Sequence, residues 1–331
     1  VKLEGKWVSS AKRRRVGIYS IPGVKAQEPA WRCQDACLAM APFDRRENQA
    51  LFAVLDGHGE NGRQAARECA ERLPKYLLPA FYSEDTTGAF RRACQKLQND
   101  LATSGSNGDV YSRSGTTLCA ALLTGTRLTI ANVGDSGCLR ISRQPLPGED
   151  LAQRTVPSSD VGLGVVRRRF GSGGLDMGSE MSGSKTGRLV AERLSRDHKP
   201  ERKDELDRIR AAGGVVFPLP LRSAVGGGGT KRGVQAGSPG LRCGQASAWQ
   251  NEGIVRDFDA EVPRVWRADG NGPGLAMSRS IGDKMAHSLG VTHEPEITEV
   301  DLNASTDLML IIASDGVWDV LTPEDVRKVR L

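Results

Sequence analysis

Two apolar runs of strand length end in the same way. Leu51-Phe52-Ala53-Val54-Leu55 leads into Asp56-Gly57-His58-Gly59, and Leu308-Met309-Leu310-Ile311-Ile312-Ala313-Ser314 leads into Asp315-Gly316. Runs of this kind bounded by turn signals predict core strands, so each aspartate stands at a sheet rim on a stiff frame. The glycine behind it lets the backbone bend sharply and lets a ligand approach the main chain. Carboxylates so placed suit hard divalent cations, Mg²⁺ or Mn²⁺, which take oxygen ligands and keep several waters. A lone Asp-Gly pair commonly only makes a turn; a second strand with the same ending weakens that reading.

A third acid lies at another strand end. Ser114-Gly115-Thr116-Thr117 opens the apolar run Leu118 to Leu123, and Thr124-Gly125-Thr126 predicts a turn. Arg127 to Val133 then returns, and Gly134-Asp135-Ser136-Gly137 precedes a further strand over Cys138 to Ile141. The short connections predict an antiparallel meander with Asp135 at its second bend. Gln34-Asp35 precedes the short apolar stretch Ala36 to Met40 and says nothing by itself.

Further segments follow: Leu194-Ser195-Arg196-Asp197-His198-Lys199-Pro200, Pro273-Gly274-Leu275-Ala276-Met277-Ser278-Arg279-Ser280-Ile281-Gly282-Asp283, and Ala313-Ser314-Asp315-Gly316-Val317-Trp318-Asp319-Val320. Together with Gln34-Asp35-Ala36, Phe52 to Gly59, Ser114 to Thr117 and Ala131-Asn132-Val133-Gly134-Asp135-Ser136, they make seven segments in one order. In kind and in order they resemble the metal-dependent protein serine/threonine phosphatases of type 2C, the PPM family. The resemblance spans roughly residues 30 to 325.

The resemblance implies a pair of Mg²⁺ or Mn²⁺ ions, with a third and weaker site, and a bridging water that attacks the phosphorus of phosphoserine or phosphothreonine directly. Two metals lower the pKa of such a water and neutralise phosphoryl charge. On this pattern Asp56 bridges both metals, the Gly57 carbonyl binds one, Asp315 binds the other, Asp35 acts through bound waters, and Asp135 serves the third site. His58 is the implied general acid for the leaving oxygen, a role suited to a group whose unperturbed pKa lies near working pH. Asp283, Asp319 and Ser195 to His198 fall in family motifs too, and are expected to hold loops rather than metals.

Two departures qualify the match. Family members continue with a helix and a closing strand that opens on a basic residue, aspartate and asparagine, and that aspartate ligates metal directly. No Asp-Asn pair follows Asp315 before Leu331, so that ligand and strand are expected to be missing, and the alternative function is a pseudophosphatase-like binding module without catalysis. Many members also carry an arginine for phosphate five residues before the first aspartate. Here that position is Ala30, and Arg32 is the nearest candidate for the role. Gln34 stands where many members have glutamate.

Several helices must support these strand ends. Ala66, Cys69, Ala70 and Leu73 share one face, and Phe90, Ala93, Leu97 and Leu101 share another. Leu206, Ile209 and Ala212 line a third before Gly213-Gly214 stops it, and Thr322-Pro323-Glu324-Asp325 opens a fourth with a capping box. Hairpins with separate helices predict an α+β fold, and the family's version is a β-sandwich of two antiparallel sheets flanked by antiparallel helix pairs. One domain over residues 1–331 is expected, with insertions at about 143–187 and 218–261. Both are rich in Gly, Ser and Arg or Gln, compositions that bury too little apolar surface to offset chain entropy, so both are expected as disordered surface loops. The second falls where the family carries its flap beside the active site.

Forty-six Lys and Arg against forty Asp and Glu leave a modest net charge of +6, which does not call for nucleic acid as a partner. Lys12-Arg13-Arg14-Arg15 reads as a solvated basic tail, with a nuclear-targeting or phosphopeptide-attracting patch as the alternative. Seven cysteines without a disulfide-framework spacing suit a reducing compartment, and Cys33 and Cys37 lack the second pair that zinc requires. No apolar run is long enough to span a bilayer. The expected partners are phosphorylated protein substrates, with no membrane, and the expected state is a monomer in the cytoplasm or nucleus.

Overall fold

The structure is a computed structural model that describes residues 2–9, 12–21, 32–83, 85–105, 109–144, 187–218 and 262–328. Strands β1 (Lys2–Ser9) and β2 (Lys12–Tyr19) form an antiparallel pair. β3 (Ala36–Met40), β4 (Gln49–Leu55) and the two-residue β5 (Gly57–His58) lead into helices α1 (Gly62–Ser83) and α2 (Thr86–Ala102). Then come β6 (Gly115–Thr116), β7 (Leu118–Thr124), β8 (Arg127–Val133), β9 (Gly137–Gln144), β10 (Arg188–Arg193), α3 (Lys203–Ala211) and β11 (Val215–Phe217). The remainder is β12 (Arg264–Trp266), β13 (Pro273–Leu275), β14 (Ile281–Gly282), α4 (Lys284–His287), β15 (Glu296–Asp301), β16 (Asp307–Ala313), α5 (Asp315–Trp318) and α6 (Pro323–Lys328).

Two antiparallel sheets form the body: β15-β8-β7-β4-β3 and β10-β9-β16. Period-two alternation explains how they stack. Leu51, Ala53 and Leu55 of β4, with Leu118, Ala120 and Leu122 of β7, face a core shared with α1 and α2. Their alternates Ala50, Phe52, Cys119, Ala121 and Leu123 face a second core with Cys138, Leu310 and Ile312 of the smaller sheet. The outer face of that sheet packs Leu139, Ile141 and Ile311 under Trp318 and Val326. The layers are therefore α1/α2, five strands, three strands, and α5/α6, the α+β sandwich expected from the sequence.

The helices follow their apolar faces. Cys69 and Leu73 of α1 are fully buried, as are Phe90 and Ala93 of α2; each large side chain so buried contributes about 2 kcal/mol. Asp85 caps α2 by accepting a hydrogen bond from the Gly88 amide at 2.6 Å. At α6 Thr322 and Asp325 cap reciprocally, amide to side chain, at 3.2 Å in both directions, with aspartate standing where a capping box usually has glutamate.

Three expectations are corrected. Lys12 to Arg15 belongs to a strand rather than a tail, with Arg15 opposite Lys6 and Arg14 opposite Trp7; the following Val16, Ile18 and Tyr19 are strand-favouring types that the charge run obscured. The meander does not close, because β15 pairs along β8 from Glu296 to Asp301 and takes that edge. β9 therefore crosses to the other sheet, and Asp135 marks a corner between sheets. The first insertion begins later than residue 143, since Arg143 and Gln144 are still paired with Leu189 and Arg188.

Both insertions leave the described structure at the ends of antiparallel strand pairs: β9 with β10, and β11 with β12, where Phe217 opposes Arg264. The expectation that their interiors are disordered lies outside the described residues. Among the described residues no helix is long and apolar enough to cross a membrane, and the six cysteines described are free thiols.

Candidate active site

Asp56 follows β4, and its backbone is held from the neighbouring segment. Its amide donates to Thr117 Oγ1 at 2.9 Å, and its carbonyl accepts from the Thr117 amide at 2.9 Å and from Thr116 Oγ1 at 3.1 Å. Thr117 Oγ1 also meets Ser136 Oγ at 2.7 Å, which ties the corner carrying Asp135 to the end of β4. The motif Ser114 to Thr117, read from sequence as the opening of a strand, is thus the brace of the site. Gly57 is tightly enclosed: a Cβ there would lie 2.2 Å from the Gly62 carbonyl oxygen and 2.8 Å from that of Gln34, so any side chain would displace backbone.

Asp315 opens α5 directly after β16 and reaches Asp56 from the other sheet, and the two carboxyls share a hydrogen bond. Burial, then the carboxylates of Asp315, Asp35 and Asp135, push the Asp56 carboxyl far above the usual carboxylate range. Burial and then Asp135 raise Asp315 as well. Asp35 accepts a hydrogen bond from Ser314 Oγ at 3.2 Å, beside Asp315. Asp135 is 3% exposed and takes Lys199 Nζ at 2.6 Å on Oδ2, while its buried Oδ1 has no hydrogen-bond partner. Arg32 is exposed at the start of the segment that leads to Asp35.

Asp56 and Asp315 therefore meet, and Asp35 and Asp135 add their charge from further off. Among the described residues no group of three or more His, Cys, Asp or Glu converges tightly enough to enclose a metal alone. The donor set still fits a hard divalent cation. It consists of oxygen atoms in a strongly negative field, it leaves one buried carboxylate oxygen orphaned, and such cations complete their shells with water.

Sequence reasoning missed two members of this cluster. Lys199 belongs to a motif read as structural; burial lowers its pKa, but Asp135, Asp319 and Asp315 together raise it above the ordinary lysine value. Asp283, expected to hold a loop, lies with Oδ2 at 2.5 Å from His58 Nε2. Burial lowers the His58 pKa, the Asp283 carboxylate outweighs it, and the net shift is upward. The link between them is the small sheet β14-β6-β5, in which Gly115 opposes both His58 and Gly282. Only the register of a three-stranded ribbon brings these partners together, and no sequence signal marked it.

The family model described as protein phosphatase 2C matches residues 21–145, 181–233 and 242–329. The chain belongs to the protein phosphatase 2C family. It is 29% identical over 314 residues to "Probable protein phosphatase 2C 35" of Arabidopsis thaliana, covering 93% of this chain and 72% of that protein. It is also 29% identical over 324 residues to "Probable protein phosphatase 2C 64" of Oryza sativa subsp. japonica, covering 96% of this chain and 56% of that protein. A serine-threonine phosphatase 2C from Toxoplasma gondii shares the fold, with a TM-score of 0.56 at 16% identity over 90% of this chain and 78% of that one. By family the chain is a serine/threonine protein phosphatase, a metal-dependent class of hydrolase acting on phosphoproteins.

Proposed function

We propose that this single phosphatase domain hydrolyses phosphoserine and phosphothreonine in proteins, using Mg²⁺ or Mn²⁺ held by Asp56, the Gly57 carbonyl and Asp315, with Asp35 acting through waters and Asp135 serving a weaker third position. Bound there, divalent cations supply an acidified water and offset the charge of the phosphoryl oxygens. The observation that carries the reading is the meeting of Asp56 and Asp315, which come from the ends of strands in two different sheets.

The chain's own groups have distinct tasks. Thr116 and Thr117 hold the Asp56 backbone, so the carboxylate keeps its aim without help from substrate. Gly57 keeps the main chain close packed beside it. His58 holds a proton for the serine or threonine oxygen, whose alkoxide is too basic to leave unaided. Arg32, exposed near Asp35, has the fork geometry to grip phosphate.

A phosphothreonine peptide assayed with and without added Mn²⁺ or Mg²⁺ tests the proposal. Turnover is expected only with added cation and is expected to vanish in Asp56→Ala. Turnover that persists in excess chelator overturns the metal assignment, and tight peptide binding without turnover under saturating Mn²⁺ supports the non-catalytic binding module instead.

A further inference from the structure

The pair formed by His58 and Asp283 is more specific than a loop contact. The Asp283 side chain is 3% exposed and His58 is 21% exposed, with 2.5 Å between Nε2 and Oδ2. His58 Nδ1, the other ring nitrogen, is buried with no hydrogen-bond partner among the described residues. One nitrogen is thus committed to a carboxylate, and the other is left without a partner. A carboxylate against one nitrogen keeps the proton on that nitrogen and fixes the ring plane.

The carboxylate is itself held in place. The Asp283 amide donates to the Ser114 carbonyl at 2.9 Å, and its carbonyl accepts from the His287 amide at 3.1 Å. Gly282, just before it, is gripped from α2 by both ends of one amide: Gln98 Nε2 donates to its carbonyl at 3.0 Å, and its own amide donates to Gln98 Oε1 at 2.7 Å. Asp283 has φ +43°, in the left-handed region, a conformation that is unfavourable for a non-glycine residue. A Cβ on Gly115 would lie 2.2 Å from Asp283 Oδ2, so the carboxylate occupies space that only glycine leaves. A strained backbone, a double amide clamp and an emptied position all converge on one oxygen atom.

We propose that Asp283 is a positioning residue that holds the Nε2–H of His58 and so makes Nδ1 the atom that delivers the proton to the leaving oxygen. The inference rests on the phosphatase reading above and adds the donor atom and its orienter. In the step, the water oxygen bonds to phosphorus and the bond from phosphorus to the serine or threonine oxygen breaks with its electron pair. The Nδ1 proton passes to that oxygen. One water proton stays on inorganic phosphate and the other, through solvent, restores the imidazolium. Throughout, Nε2–H remains against Asp283.

The test exploits leaving groups. A phosphothreonine peptide expels a strongly basic alkoxide, whereas p-nitrophenyl phosphate expels a phenolate stable without a proton. In the Mn²⁺-loaded chain Asp283→Asn is expected to lower kcat on the peptide by about 10 to 100-fold with KM unchanged, and to lower p-nitrophenyl phosphate turnover less than about threefold. His58→Ala should show the same selectivity, and the double variant should be no worse on the peptide than His58→Ala alone. Equal losses on both substrates, or additive losses in the double variant, overturn the positioning role while leaving the phosphatase reading intact. A wild-type chain inactive on both substrates removes that reading and this inference with it. Ring ¹⁵N shifts of neutral His58 in the wild-type chain provide a measurement independent of any variant's folding. The Nε2–H tautomer is expected, and a dominant Nδ1–H tautomer overturns the proposal.

Discussion

Lys199 places Nζ 2.6 Å from Oδ2 of Asp135, so a half-buried ammonium sits on a carboxylate whose side chain is 3% exposed. A lysine so placed does part of the work of a cation: its charge offsets that of a buried aspartate beside Asp56 and Asp315. Removing one partner of a buried pair leaves an uncompensated charge.

Lys199→Met is therefore expected to destabilise the chain by about 3 kcal/mol in chelator. Saturating Mn²⁺ should narrow that deficit, because a ligand bound only by the folded state stabilises it by mass action. Thermal melts in chelator and in Mn²⁺ measure both values. An identical deficit in the two buffers would show that Asp135 takes no part in cation binding.

Asp56→Asn should separate stability from function. The amide keeps the shape of the side chain and spares the folded state the cost of a buried carboxyl whose ionisation burial and the carboxylates of Asp315, Asp35 and Asp135 oppose. In metal-free buffer the variant should melt a few degrees higher, a gain of roughly 1 kcal/mol. Calorimetric Mn²⁺ titration should show binding lost, and more severely than in Asp135→Ala. A variant less stable than wild type in chelator would contradict the repulsion read from the structure.

Thr117→Val tests the brace. The Asp56 amide loses its side-chain acceptor and Ser136 Oγ loses its partner, at a cost of about 1 to 3 kcal/mol for a buried unsatisfied group. Mn²⁺ affinity should fall with it, because Asp56 loses a support, whereas Thr117→Ser should restore both. Undiminished affinity in Thr117→Val would mean that the strand pairing alone positions Asp56.

Acid sensitivity should arise at the first turn of α3. Glu205 has no exposed side-chain surface and receives Arg202 at 3.0 Å, Arg208 at 2.5 Å, Arg279 at 2.6 Å and Ser278 Oγ at 2.6 Å. Burial raises its pKa, but these partners prevail and hold it well below the usual carboxylate range. Hydrogen bonds from His198 and Arg202 likewise hold Glu296 down to about 2. A depressed carboxylate contributes stability that is fully present above the unfolded value of about 4.3 and is lost as pH falls toward the folded one.

Buried His198 acts in the same direction, since burial lowers its pKa and the unfolded chain takes up its proton first, below about 6.5. The contribution of His198 should therefore fall below about pH 6.5 and those of Glu205 and Glu296 below about 4.3, each by up to about 1.4 kcal/mol per pH unit, while the raised carboxyls of Asp56 and Asp315 act in the opposite direction until the unfolded carboxylates are protonated. Glu205→Gln should be less stable at pH 7 and flatter between pH 4 and 2. Denaturant melts across that range check it, and parallel curves for variant and wild type would place the acid sensitivity elsewhere.

Features local in sequence were legible from it. The alternation of Leu51, Ala53 and Leu55, the helical faces at Ala66 to Leu73 and Phe90 to Leu101, the capping at Thr322 and the aspartates at the ends of β4 and β16 all arise from periods of two or 3.6 residues, or from one turn. These periodicities reflect backbone geometry and need no distant partner. What they could not supply was the pairing of distant segments. Tertiary structure decided that β15 takes the edge of β8 and sends β9 to the other sheet, that Glu205 gathers three arginines, that Lys199 meets Asp135, and that Asp283 meets His58 across 225 residues. Each depends on the order and register of strands, and these follow from which apolar faces and polar partners can be satisfied together in the whole fold. A carboxylate in sequence carries no mark of whether it will find a metal, a lysine or a histidine; the neighbours that assembly brings within 3 Å make that choice.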